Sequence, residues 1–350
     1  QRAAQLEASK VFAKELLLKY GIPTAPPLLP GEEFFYFTDT IQVRDYFLKN
    51  NYRYEEMFPA VVKVDGLAAG KGVEVCSNPA ELNVFLGGIN VDERLSKAAD
   101  KILLEKCLNG EEASYIVMMD ESYNIKALAS SQDHKRAWDG DEGTNTGGMG
   151  AYSPAPVVTK EVEEKIWDRI LLPLKEALKK EGIVYKGFLY LGLMIDKNGD
   201  PSVLEINVRL GDPEAQPLLM RQESDLLAHI QAAIKDELDK EEIKYRSEPA
   251  TCVIMASQGY PGSYEKGFPI TGIENAENYN TKVFHSGTGS NEQGELVTKG
   301  GRVLGPTSLG VDFLNSQRNA YAAVGKTKCE NLVCRSDIGD KAIDPALLAK

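Results

Sequence analysis

Four stretches of this sequence place chemically active side chains at spacings that could serve one reaction. The first, Asp65-Gly66-Leu67-Ala68-Ala69-Gly70-Lys71-Gly72, lies between two β-branched runs, Pro59 to Val64 and Val73 to Cys76. A Walker P-loop joins a strand to a helix and ends in Gly-Lys-Ser/Thr, so a loop between two strands is a different device. Its small residues let backbone N–H groups close over phosphates, with Lys63 on the strand and Lys71 in the loop supplying positive charge. Taken alone, it fits a phosphate cradle or an ordinary turn.

The second stretch, Glu105-Lys106-Cys107-Leu108, ends a strand-like run, and Glu112 follows four residues later. An exposed strand end can pair its backbone with the edge of an adenine, and a carboxylate beyond it can accept from ribose hydroxyls. A solvated acidic turn is the other reading. The third is Leu204-Glu205-Ile206-Asn207-Val208-Arg209. On a strand, the two-residue period puts Glu205, Asn207 and Arg209 on one face, with Leu204, Ile206 and Val208 turned to the core. A carboxylate, an amide oxygen and a guanidinium side by side suit magnesium and phosphate, though a one-sided solvated strand has the same pattern. The fourth combines Asp133-His134-Lys135-Arg136 with Asn145-Thr146-Gly147-Gly148-Met149-Gly150. Three potentially cationic side chains in a row, beside a glycine-dense run, read either as a mobile anion-binding loop or as ordinary charged surface. His134 is open to a general-base role, but anion or solvent binding fits it equally.

The elements that must carry these groups follow from periodicity and punctuation. Leu6 to Tyr20 has apolar residues at helical spacing and is stopped by Gly21 and Pro23. Ser114 to Met119 and Ile125 to Ala129 predict a strand pair, and Phe188 to Ile195 with Ser202 to Ile206 predict a hairpin around Asn198-Gly199-Asp200. A helix is predicted over 161–181, kinked at Pro173, and another over about 215–240. Residues 139–156 read as a glycine-rich loop. The charged stretch 235–248 reads as a linker to a small mixed or mostly β domain.

Composition narrows the partners. The chain has 350 residues, 43% hydrophobic and 26% charged, which predicts two or three soluble domains. No apolar run approaches the roughly 20 residues that span a bilayer, and the first residues do not read as a signal peptide, so a cytoplasmic location is expected. Five scattered cysteines without a C-x-x-C pair predict reduced thiols rather than disulfides or zinc. A net charge of −12 opposes nucleic acid and anionic membranes, so no partner of either kind is expected and phosphates must be held by local cations and backbone donors.

Taken in order, the two lysines with a Gly-rich hairpin, the Glu-Lys-x-Leu strand end with Glu112, and the Glu-x-Asn strand resemble the ATP-grasp superfamily. More narrowly, Asp65 to Gly72, Gly110 to Ser114, Gln132 to Arg136, Asn145 to Pro156 and Gly211-Asp212-Pro213-Glu214 resemble the phosphoribosylamine–glycine ligase family, and Tyr260 to Tyr264 and Gly300 to Leu304 extend the likeness. The resemblance implies an α/β (α+β) ATP-grasp fold with a small C-terminal domain. It divides the chain into a helical segment (1–57), a small subdomain with a phosphate lid (58–109), a large subdomain with the metal and substrate site (110–240) and the C-terminal domain (250–350). It also implies a doubly wound domain ahead of the first helix, which these 350 residues do not include, and is compatible with one section of a longer polypeptide.

The implied cofactors are ATP and magnesium or manganese, and the implied substrates glycine and 5-phosphoribosylamine. By the same resemblance, Lys63, Gly66, Gly70, Lys71, Gly72, Glu105, Lys106, Leu108 and Glu112 would bind ATP, with Glu205 and Asn207 holding metal. Asp133, His134, Lys135, Arg136, Asn145, Gly147, Gly148, Arg209, Asp212 and Glu214 would face substrate, and Lys71 and Arg209 would act in catalysis. Another ATP-grasp ligase or carboxylase component, or a non-catalytic nucleotide-binding fragment, are the alternatives. In the C-terminal part, Gly305-Pro306 and the stretch Cys329 to Cys334 depart from the family's pattern.

Overall fold

A computed structural model describes residues 2–34, 36–66 and 72–344. The first predicted helix is two, Gln5–Ala8 and Lys10–Lys19, because Ser9 is extended between them (φ −131°) and caps the second by accepting from Phe12 N–H. Gly21 (φ +65°) then turns the chain out of the helix as expected. The predicted helix over 161–181 becomes Lys160–Ile166 and Leu172–Lys180, joined by a π turn at Trp167–Leu171. Pro173 has no N–H to give to the preceding turn, and the wider turn absorbs the mismatch.

Three expectations are corrected. The helix predicted over 215–240 is broken into Ala215–Arg221, Leu226–Ile234 and a short 3-10 turn, Leu238–Lys240. Asp225 caps the second piece, and Glu223 N–H donates to Lys244 O, which pulls the chain out of helical geometry. Nor is 235–248 solvated throughout, although half of it is exposed. Leu238 is fully buried, its N–H donating to Asp120 Oδ2 at 3.2 Å, and Tyr245 bridges to Gln222. Nor is 139–156 simply a loop, since it contains strands Glu142–Asn145 and Gly150–Ser153.

The described chain forms two compact units. One comprises Gln1–Glu111, Thr159–Tyr185 and Leu191–Val208. Its antiparallel sheet runs Tyr36–Phe37, Ile102–Lys106, Ala60–Val64, Val73–Cys76. Helices Pro79–Val91 and Glu93–Ala98 supply Leu82, Leu86, Ile89 and Leu95 to a core with Val62, Val64 and Leu104 from the sheet. The other unit comprises Glu112–Val158, Lys186–Tyr190 and Arg209–Lys350. Its largest sheet pairs Gly150–Ser153 with Ala250–Val253, which pairs in turn with Arg302–Leu309, so the C-terminal segment shares a sheet with the glycine-rich region. Both units are built from segments that alternate along the chain.

Candidate active site

In the first unit the site is built on a buried carboxylate between two buried lysines. Strand Ile102–Lys106 lies beside Ala60–Val64 with Glu105 opposite Val61. Glu105, 2% exposed, reaches Lys63 Nζ at 2.6 Å through Oε2 and Lys14 Nζ at 2.7 Å through Oε1. The Oε2 contact is a 2.6 Å ion pair between two buried charges, without the angle of a hydrogen bond. Burial pushes the Glu105 carboxyl up, but Lys63 and Lys14 outweigh it and hold it below the ordinary carboxylate range. Lys63 also donates to Leu204 O at 3.0 Å, next to Glu205 in sequence. Lys10, on the same helix as Lys14, donates to Gly66 O at 3.2 Å; burial lowers its pKa and the Glu205 carboxylate partly restores it.

Several predicted nucleotide residues have other occupations. The Glu105 side chain is turned onto the lysines. Lys106 N–H donates to Pro26 O at 3.1 Å and Lys106 Nζ to Glu56 O at 2.5 Å, so that donor of the strand end is taken; Leu108, beyond it, is half-buried. Gly66 packs so tightly on helix Glu93–Ala98 that a Cβ would sit 2.9 Å from Ala98 Cα, and its N–H donates to Ala98 O. Asp65 receives Val11 N–H and the Ser9 hydroxyl, anchoring the second helix. Gly72 closes the hairpin by accepting Val64 N–H at 2.8 Å. Gly70 and Lys71 lie outside the described residues.

Glu205 and Asn207 share one face of strand Pro201–Asn207, both half-buried. The strand stops at Asn207. Arg209 lies beyond it, exposed, with Nη1 donating to Leu210 O, so the predicted three-residue face holds for two. Of the residues expected inward, Ile206 is buried and Leu204 and Val208 are half-buried. A carboxylate and an amide oxygen fit a hard cation that keeps waters and phosphate oxygens. Among the described residues there is no group of three His, Cys, Asp or Glu, so an all-protein cage is not offered.

In the second unit the glycine run is held by an arginine that sequence reasoning missed. Arg302 Nη1 donates to Gly147 O (2.5 Å), Gly148 O (3.3 Å) and Asp212 O (2.6 Å), and Nη2 meets Asp212 Oδ2 at 3.0 Å. This ties Asn145 to Gly150 to Gly211-Asp212-Pro213-Glu214. Gly148 adopts φ +107°, where a Cβ would fall 2.4 Å from Pro213 Cδ and 2.6 Å from Asp133 Oδ1. Glu214 is buried and accepts from Ser114 Oγ at 2.8 Å, and Ser114 also meets the Tyr190 hydroxyl at 3.0 Å. Asp133 Oδ1 is buried without a hydrogen-bond partner, and burial, then Glu214, raises this carboxyl well above its ordinary value.

The cationic triplet is corrected. His134 is 3% exposed, with burial and then Arg335 depressing its pKa to about 4, so it is neutral at physiological pH; Nδ1 has no partner and Nε2 lies 3.5 Å from Gly339 N. Lys135 pairs with Glu112 at 2.5 Å, joining a predicted ribose residue to a predicted substrate residue. Arg136 Nη1 donates to Gly143 O at 2.8 Å and stands opposite Asn145 in a two-stranded ribbon. Thus the second unit gathers Asp133, Gly147, Asp212 and Glu214 near Gly148 and Arg302, while His134 turns into the core. Lys14 could have been found: it sits three residues from Val11 and from Leu17, on the buried stripe of its helix, where an unpaired lysine is costly.

A lysine-and-carboxylate strand pair beside a Gly-rich hairpin, with Glu205 and Asn207 on a second hairpin, defines the class as ATP-grasp. The family model for the phosphoribosylglycinamide synthetase ATP-grasp (A) domain matches residues 8–215, and that for the C domain of the same synthetase matches 250–341. The phosphoribosylamine–glycine ligase of Pseudomonas aeruginosa is 44% identical over 341 residues, covering 97% of this chain and 76% of that protein. That of Neisseria meningitidis is 44% identical over 344 residues, covering 98% and 78%. The crystal structure of the Thermotoga maritima phosphoribosylamine–glycine ligase superposes with a TM-score of 0.78 at 34% identity, covering 96% of this chain and 80% of that one. The biotin carboxylase domain of Hydrogenobacter thermophilus 2-oxoglutarate carboxylase, in complex with ADP, magnesium and bicarbonate, has a TM-score of 0.69 at 16% identity, covering 98% and 71%; it shares the fold. The chain belongs to the phosphoribosylamine–glycine ligase family.

Proposed function

We propose that this protein joins glycine to 5-phosphoribosylamine, converting ATP to ADP and phosphate and giving glycinamide ribonucleotide for purine biosynthesis in the cytoplasm. The observation that carries the reading is the family match along nearly the whole chain, since ATP-grasp geometry alone selects neither the acid nor the amine. The glycine carboxylate is a poor electrophile; phosphorylation by ATP makes glycyl phosphate, and the phosphoribosylamine nitrogen displaces phosphate from it.

Positioning and charge then do the catalysis. Lys63 and Lys71 supply positive charge to the phosphates, Leu108 takes the adenine edge and Glu112 the ribose. Glu205 and Asn207 would hold magnesium, or manganese, whose hard charge would offset that of the phosphates. Arg209 meets the transferred phosphoryl group. The Gly147–Gly148 run and Asp212 shape the substrate pocket with Asn145, Lys135 and Arg136, and the unpartnered Asp133 oxygen beside Glu214 suits a substrate amine.

The test is turnover. With ATP, magnesium, glycine and 5-phosphoribosylamine generated in place, ADP should appear only when both substrates are present, with glycinamide ribonucleotide detected by mass spectrometry. Bicarbonate replacing glycine would indicate a carboxylase, and ATP binding without turnover a non-catalytic nucleotide-binding protein.

A further inference from the structure

We propose that Lys14 is a positioning residue: through Glu105 it sets the charge that Lys63 offers to the ATP phosphates. This rests on the ATP-grasp reading above. All three N–H donors of Lys14 are filled, by Thr24 Oγ1 at 2.8 Å, Ala25 O at 2.7 Å and Glu105 Oε1 at 2.7 Å. Its side chain is 5% exposed and Glu105's is 2% exposed, so neither charge can be compensated by water. The Thr24 hydroxyl donates onward to Val203 O at 2.8 Å, fastening the lysine to the strand that carries Glu205 and Asn207.

Lys63 differs from Lys14 in one respect. Among the described residues it has an ion pair with Glu105 Oε2 and a hydrogen bond to Leu204 O, which leaves donor capacity for a ligand. The group of three carries two positive charges and one negative. Sharing Glu105 between the lysines leaves one net positive charge, and the only unfilled donor in the group is on Lys63. Without Lys14, Glu105 would face Lys63 alone and cancel it. Lys14 also occupies the second carboxylate oxygen, so the carboxylate stays oriented with Oε2 on Lys63.

The experiment measures ATP–magnesium dissociation constants by calorimetry on the whole chain, with thermal melts alongside. Lys63→Met should weaken ATP at least tenfold, and Lys14→Met about tenfold, the scale of one charge-assisted contact. Adding Glu105→Gln to Lys14→Met removes the charge that cancels Lys63 and should recover most of the lost affinity, although both ion pairs are then gone. A bracing role predicts the opposite: the double variant would bind no better than Lys14→Met and melt lower. That result, unchanged binding in Lys14→Met, or unchanged binding in Lys63→Met would overturn the proposal. If Lys14→Met does not fold, Lys14→Gln keeps an uncharged donor for Ala25 O and permits the same comparison. Because the readout is binding, failure of the ligase reading appears separately, as wild-type protein that binds ATP and forms no product.

Discussion

The two units hold buried polar groups in place by opposite means. Around Glu105 the chain spends full charges: two lysines and a carboxylate are buried together, and each fixes the others. Around Gly148 it uses one guanidinium and backbone carbonyls, with Arg302 reaching three carbonyl oxygens and one carboxylate. Ion pairs between side chains tolerate any backbone that delivers the charges, whereas carbonyl ligation fixes the course of the loop itself. The first arrangement therefore tunes potential and the second tunes shape.

The largest effect should come from cutting the carbonyl clamp. Arg302→Met strands three carbonyls, costing about 3 kcal/mol in denaturant melts and lowering turnover about a hundredfold. Arg302→Lys should recover little of either, because a point charge cannot span the fork; full rescue by lysine would mean that charge alone holds this unit too, and the contrast would collapse.

A smaller effect of mixed sign is expected at Asp133. Its folded-state pKa is raised, chiefly by burial and then by Glu214, so the ionised form is disfavoured in the fold and stability present in acid is lost as pH rises through the folded value. Asp133→Asn cannot ionise; it should raise the melting temperature at neutral pH, with less gain in acid, while turnover falls about tenfold if the carboxylate meets the amine. A variant that melts lower at neutral pH would show the carboxylate to be well paired after all.

The smallest effect at working pH concerns His134, which is faced by Arg335, Asp141, Asp337 and Lys341. Its folded pKa of about 4 lies below the ordinary 6.5, so the unfolded chain takes up the proton first and stability declines as pH falls between those values. By about pH 4.5 the loss should be on the order of 2 kcal/mol. His134→Leu should remove that slope and change neutral-pH activity less than twofold; a steep activity loss at neutral pH would restore His134 as a substrate residue.

What the sequence determined by itself is local. The hairpin strands around 65–72, the turn at Gly199, and the common face of Glu205 and Asn207 follow from a period of two and from turn chemistry, which act within a few residues. The order of the motifs was enough to indicate the α/β ATP-grasp class. Partnership and charge state were decided only in the tertiary structure. Lys14, Lys63 and Glu105 are brought together by helix and sheet packing, and Arg302 reaches Gly147 from 155 residues away. His134 looked cationic beside Lys135 and Arg136 until the fold buried it, and 235–248 looked solvated throughout until Leu238 was covered and Tyr245 bridged to Gln222. The reason is that desolvation and long-range pairing set both the pKa and the orientation of a polar side chain, and neither is written in its neighbours along the chain.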